Sequence, residues 1–123
     1  MIAVSVQAPN SLVFVMDPRA ESLPESMGPD GLIAATPDCV AVGTLSEADG
    51  PTHIRLQRRS ELLGEHPELR MFSGYAATPS RAVLLVSVHG ETYATIGVQT
   101  DRTAIEVWVN DRLEPDEILI LID

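Results

Sequence analysis

The chain has one cysteine, no lysine and few aromatics (one Trp, two Tyr, two Phe). Each shortage excludes something. Cys39 has no second cysteine to pair with, so no internal disulfide staples the fold. No apolar run approaches the ~20 residues that a membrane helix needs. The first residues, MIAVSVQAPNS, carry no basic stretch ahead of a few apolar ones, so they do not read as a signal peptide. A cytoplasmic protein is the expectation. Scarce aromatics cannot build a base-stacking platform. Eight bases, all arginine, stand against 18 acids, for a net charge of −10. Phosphate contacts need clustered cations, and only Arg55, Arg58 and Arg59 cluster, so direct binding to DNA or RNA is not expected.

What is present is strand signal. At 123 residues and 45% apolar content the chain reads as one domain, residues 1–123, with enough core to fold without metal or disulfide. Residues 2–7 alternate Ile2, Val4 and Val6 with small or polar residues, the period of a half-buried strand. Pro9-Asn10-Ser11 turns the chain into a second strand, residues 12–16, which either closes a hairpin or crosses to another sheet. Residues 17–38 read as a long irregular loop, broken by Pro18, Pro24, Gly28, Pro29, Gly31 and Pro37. Loops of this length are functional or loosely ordered. The stretch from Cys39 to Gln57 reads as strand, polar turn, strand, with Asp49-Gly50 supplying a hairpin turn.

Further along, residues 58–64 fit one helical turn capped by Ser60 and closed by Gly64. Residues 68–72 fit a short edge strand with Leu69 and Met71 on one face. Two runs, residues 81–88 and Ile118 to Ile122, are apolar nearly throughout, as central strands buried on both faces are. Between them, residues 93–98 place Ala94, Ile96 and Val98 inward, and residues 104–109 place Ile105, Val107 and Val109 inward. Eight or nine short strands at hairpin spacing, with little helix signal, predict an all-β antiparallel sandwich of about eight strands.

Candidate chemistry is sparse. His53, His66 and His89 are too far apart in sequence for a local metal pattern. His53 with Glu47 and Asp49 across the turn is the one conceivable metal or acid–base group, and a solvated turn explains it more simply. His66 and His89 read as surface residues. Cys39 has no neighbouring base to activate it and reads as a small buried hydrophobe. No phosphate loop, dinucleotide fingerprint or nucleophile elbow occurs. The acids Asp111, Glu114, Asp116 and Glu117 lack calcium-loop spacing. No cofactor, metal site or catalytic residue is expected. Alternation puts Glu106 and Trp108 on the outer face of their strand, and Tyr93 on the outer face of its own. If those strands are neighbours, Tyr93 and Trp108 meet as an exposed aromatic pair, the composition of an interface anchor; if the sheet is covered on both faces, Trp108 is core.

The order of segments carries a resemblance. Leu12-Val13-Phe14-Val15 leads through a long loop to Cys39-Val40-Ala41-Val42-Gly43-Thr44-Leu45. Asp49-Gly50, Ile54-Arg55-Leu56, Arg81 to Val86 and Ile105-Glu106-Val107 follow. This resembles the competence protein J family, small acidic inhibitors of DNA-entry nucleases. The resemblance implies a β-sandwich that binds a nuclease and has no catalysis of its own; it carries over no residue role.

Three functions stay open from sequence. The first is a non-catalytic acidic protein that binds a basic protein partner, in an inhibitor or immunity-type role, presenting Glu47, Asp49, Tyr93, Glu106 and Trp108. The second is a self-associating structural protein, a homodimer through its outer aromatic face. The third is a small-molecule binder or enzyme with the 17–38 loop as a lid.

Overall fold

The structure is a computed structural model that describes residues 1–27, 31–62 and 64–123. Gly28 and Pro29 of the long loop, and Leu63 of the expected helical turn, lie outside the described residues. Among the described residues ten strands form two five-stranded sheets. In chain order they are β1 (Ile2–Val6), β2 (Leu12–Met16), β3 (Ile33–Ala35), β4 (Cys39–Gly43), β5 (Thr52–Arg58), β6 (Leu69–Ala77), β7 (Ala82–Ser87), β8 (Thr92–Gly97), β9 (Arg102–Val109) and β10 (Glu117–Ile122). One sheet runs β1-β5-β10-β9-β6 and will be called sheet A. The other, sheet B, runs β3-β4-β2-β7-β8. The sandwich expected from the strand pattern is present, with two more strands than about eight. One neighbouring pair, β5 with β10, is parallel. Parallel neighbours need a long connection, and here Arg59 to Asp116 lies between them.

The main core fills the space between the sheets. Val13, Val15, Val40, Val42, Val83 and Leu85 reach it from sheet B. Ile54, Leu56, Ile105, Val107, Val109, Ile118, Ile120 and Ile122 reach it from sheet A. These are alternate residues, as the two-residue period of a strand demands. A second apolar layer covers the outer face of sheet B. Phe14, Cys39, Ala41 and Val86 form it, with Ala34 of β3 beside Ala41 and Met27 of the long loop packed against them. Both faces of β4 are therefore covered, and all five of its residues are buried. Of the described loop residues ahead of β3, Met27 sits on this outer face. Leu32 joins the main core, and Ile33–Ala35 add a strand beside β4. Asp17, almost fully buried, pins the loop's start by accepting from Arg19 N (2.8 Å), Ser80 N (2.9 Å) and Ser80 Oγ (2.9 Å).

Several local expectations are corrected. Cys39 to Gln57 is not a hairpin: β4 belongs to sheet B and β5 to sheet A. The turn chemistry explains the difference. Ser46 caps a 3-10 turn, Glu47–Asp49, and Gly50 follows at φ 124°, ψ −175°. That conformation is open to glycine alone, but it extends the chain instead of folding it back. Of the two courses open to β1 and β2, the chain takes the crossing: it passes to the opposite sheet through Pro9–Ser11, where Asn10 and Ser11 both take positive φ. Residues 59–61 do form one helical turn. Its cap is Arg58, whose N–H is accepted by Glu61 Oε1 at 2.9 Å, and Ser60 lies inside the turn. That bond to the Arg58 backbone is the first cause holding the Glu61 carboxyl below its ordinary range.

Ile120 lies fully buried in the main core. Ile120→Ala removes its methylenes and leaves a cavity, so unfolding in urea should show a loss of about 2–5 kcal/mol. Cys39 gives a second test. Burial, and next the charge of Asp38, push its thiol up to about 12 from 9.0. The folded thiol keeps its proton where the unfolded one has lost it, so the stability it contributes is intact below pH 9. It drains away as pH rises toward 12. Measured against Cys39→Ala, the native chain should lose stability steadily above pH 9 and not below it.

Candidate functional site

The outer face of sheet A is built from residues that register places in rows across the strands. One row reads Ala3, Arg55, Leu119, Trp108, Arg70; the next reads Gln57, Leu121, Glu106, Ser73. Leu119 and Leu121 point away from the main core, yet both are at most 2% exposed. Polar and aromatic side chains shield them. Trp108 donates its Nε1–H to Glu106 Oε1 at 3.1 Å. Glu106 is 7% exposed and pairs through Oε2 with Arg59, and through Oε1 with Arg70 Nη1 at 3.8 Å. Arg70 also lies over the Trp108 ring, 5.9 Å from its centroid. A buried carboxylate is costly unless paired and hydrogen-bonded, and here two half-exposed arginines and one indole meet that need.

The segment that connects β5 to β6 crosses this face. His66 packs edge-on against Trp108, centroids 5.3 Å apart and planes at 76°. Arg55 donates to the Glu65 carbonyl at 3.4 Å. Beside this contact lies a hollow of about 560 Å³, lined by Arg55, Glu65, His66, Glu68, Asn110 and Glu117 among others. It holds no nucleophile with a base beside it. Among the described residues no group of three or more His, Cys, Asp and Glu could hold a metal. The adjoining 110–116 loop is fixed by its own side chains. Asp111 accepts from Leu113 N (3.2 Å) and Glu114 N (2.8 Å), and Asn110 Nδ2 donates to Asp116 at 2.6 Å. The two backbone bonds, that to Glu114 first, hold the Asp111 carboxyl below its usual range.

The five sequence-selected residues fall in three places. Glu106 and Trp108 lie together on the outer face of sheet A, and this answers whether Trp108 is core: it is half-buried under His66 and Arg70. Glu47 and Asp49 stand exposed in the turn ahead of β5, tied to β1 by Gln7 Nε2 donating to the Glu47 carbonyl at 3.0 Å. Tyr93 is corrected. Strand β8 belongs to sheet B, so Tyr93 cannot meet Trp108. A register shift between Leu85 and Val86 inserts Tyr93 as an extra residue, and its ring packs against the main core. Burial, then the nearby Glu91, hold its phenol above the ordinary value; a bond with Ser87 opposes this, and Glu47 adds to the rise. His66 is also corrected: it is half-buried on Trp108, not a free surface residue. Arg59 stands out in sequence only as part of the Arg55, Arg58 and Arg59 cluster, and Arg70 only through its alternation with Leu69 and Met71, which places it outward.

With this geometry, one comparison is informative. The chain is similar to the crystal structure of ComJ, inhibitor of the DNA degrading activity of NucA, from Bacillus subtilis. The TM-score is 0.72 at 8% identity, over 99% of this chain and 94% of that one. The chain has the fold of ComJ. At 8% identity the likeness is one of fold alone. No family model and no curated protein matches the chain.

Trp108 is the sole tryptophan, so its fluorescence reports this face directly. Glu106→Ala deletes the acceptor of its N–H and strands two arginines that are already half in water. The expected loss is about 1–2 kcal/mol, with a shifted Trp108 emission. Glu106→Gln, which keeps an acceptor, should cost less and leave the emission closer to native.

Proposed function

We propose that this chain is a non-catalytic acidic protein that binds a basic protein partner and acts as an inhibitor or immunity-type protein toward a nuclease. The observation that carries the reading is the likeness in fold to ComJ, described as inhibiting the DNA degrading activity of NucA, along nearly the whole of both chains. The net charge of −10 supports it, because opposite charge speeds encounter and favours a basic partner over nucleic acid. Two surfaces are offered as contact sites. One is the exposed turn of Glu47 and Asp49. The other is the Glu106–Trp108 face, where an indole and arginines, residue types that dominate interface energetics, stand beside the carboxylates of Glu65, Glu68 and Glu117.

The test is a DNA-degradation assay. The purified chain is added to NucA, and separately to the nuclease activity that a cation exchanger retains from the protein's own host. Slower degradation in either, relieved by salt, is the expected result. Unchanged degradation in both overturns the reading. Where inhibition is seen, Trp108→Ala should weaken it by about tenfold or more. Reversing Glu47 and Asp49 to lysine should chiefly slow association and flatten its salt dependence.

A further inference from the structure

We propose that β6 is a docking edge for a second copy of this chain, paired antiparallel about a two-fold axis at Ser73. The inference is independent of the inhibitor reading. Strand β6 ends the order of sheet A and is nine residues long, longer than any other edge strand of the two sheets. Its backbone groups can be assigned by direction. Thr78 gives its N–H to Asp101 O at 2.7 Å, toward the β9 side. Ala77 gives its N–H to Pro37 O at 2.8 Å, the opposite way. Direction alternates along a strand, so Tyr75 and Ser73 also turn their N–H and C=O groups away from β9. Among the described residues no strand lies on that side.

An edge of this kind is a template for another strand. It is bounded at one end by the register shift between Arg70 and Phe72, and at the other by Pro37. Between those limits, a two-fold axis at Ser73 lets each Ser73 N–H donate to the other copy's Ser73 carbonyl. Two small side chains then face each other. A two-fold contact is isologous: each end of the strand meets the other end of its twin.

The two ends match. At one end Arg70 is 55% exposed, and its one ion pair among the described residues is the 3.8 Å contact with Glu106, which Arg59 already serves. At the other end a hollow of about 450 Å³ is lined by Pro37, Tyr75, Ala76, Ala77, Asp101 and Arg102. Tyr75 is 55% exposed there, with Arg102 stacked 3.8 Å from its ring centroid. Pairing brings Arg70 of each copy toward Tyr75 and Asp101 of the other, a cation against an aromatic ring and a carboxylate, twice per dimer. Tyr and Arg are the residue types that anchor interfaces.

Sedimentation velocity of the full chain, from micromolar to sub-millimolar concentration at physiological salt, tests this. The expected mass rises from 13.3 kDa toward twice that value. Ser73→Pro removes one outward N–H that the β9 ladder does not use, and proline is tolerated on edges; this variant should stay folded by circular dichroism and sediment as a monomer. Arg70→Asp and Asp101→Arg should each weaken the dimer about tenfold or more, and their combination should restore it, since the pair is rebuilt with reversed charges. A native chain that remains at 13.3 kDa throughout overturns the proposal, and so does a dimer that Ser73→Pro leaves intact. If Ser73→Pro fails to fold, the charge-reversal set decides: unaffected single variants, or a double variant that does not recover, overturn it.

Discussion

The outer face of sheet A depends on one requirement, that β10 be covered on both sides. Its alternate residues Ile118, Ile120 and Ile122 fill the main core, which leaves Leu119 and Leu121 facing the other way. Water cannot be kept from two leucines by a strand alone. The flanking rows supply long side chains at the same register: Arg55 and Trp108 beside Leu119, Gln57 and Glu106 beside Leu121. Once Trp108 and Glu106 lie flat over leucine, their polar atoms need partners. The indole N–H and the carboxylate satisfy each other, and Arg59, Arg70 and His66 complete the layer. The buried charge is thus a consequence of covering an apolar strand with amphipathic side chains.

Sheet B meets the same requirement differently. Its outer layer of Phe14, Cys39, Ala41 and Val86 is flanked by apolar side chains, among them Leu12, Met16, Leu84 and Val88, with Met27 of the long loop against it. No charge is buried in that layer, and the thiol of Cys39 is sealed in as a small hydrophobe. The two outer faces therefore differ in kind. Sheet B is closed by its own chain. Sheet A is closed by arginine, histidine and tryptophan that remain partly in contact with solvent, and such side chains can exchange their present neighbours for those of a partner. This contrast is the physical reason for placing a partner surface on sheet A.

What was legible in the sequence follows from range. Alternation is local, so strand faces were readable: Ile105, Val107 and Val109 inward, Glu106 and Trp108 outward, and the apolar runs of β7 and β10 as strands with neighbours on both sides. Sheet membership is not local. Cys39 to Gln57 carries every hairpin sign, yet Gly50 extends the chain across the sandwich, and no residue within the stretch says which sheet β5 joins. Tyr93 failed for a related reason. One extra residue in β8 reverses the face of the side chain it inserts, and a bulge is set by the partner strand. The Glu106–Arg59–Arg70 group is not legible in the sequence because its members are 11 to 47 residues apart (Arg59 to Arg70, and Arg59 to Glu106) and meet through the β5–β10, β10–β9 and β9–β6 pairings.

The same distinction governs how far the likeness to ComJ reaches. A sandwich requires apolar alternation, turns that cross between sheets, and cover for its central strands. Very different sequences meet those demands, which is how 8% identity and a TM-score of 0.72 coexist. A partner surface makes narrower demands, on particular charges and rings at particular rows. Nothing in the backbone compels Trp108 to sit beside Glu106 or Tyr75 beside Arg102. These residues are free choices of this sequence within a shared frame, so the proposed partner surface is read from them and not from the frame.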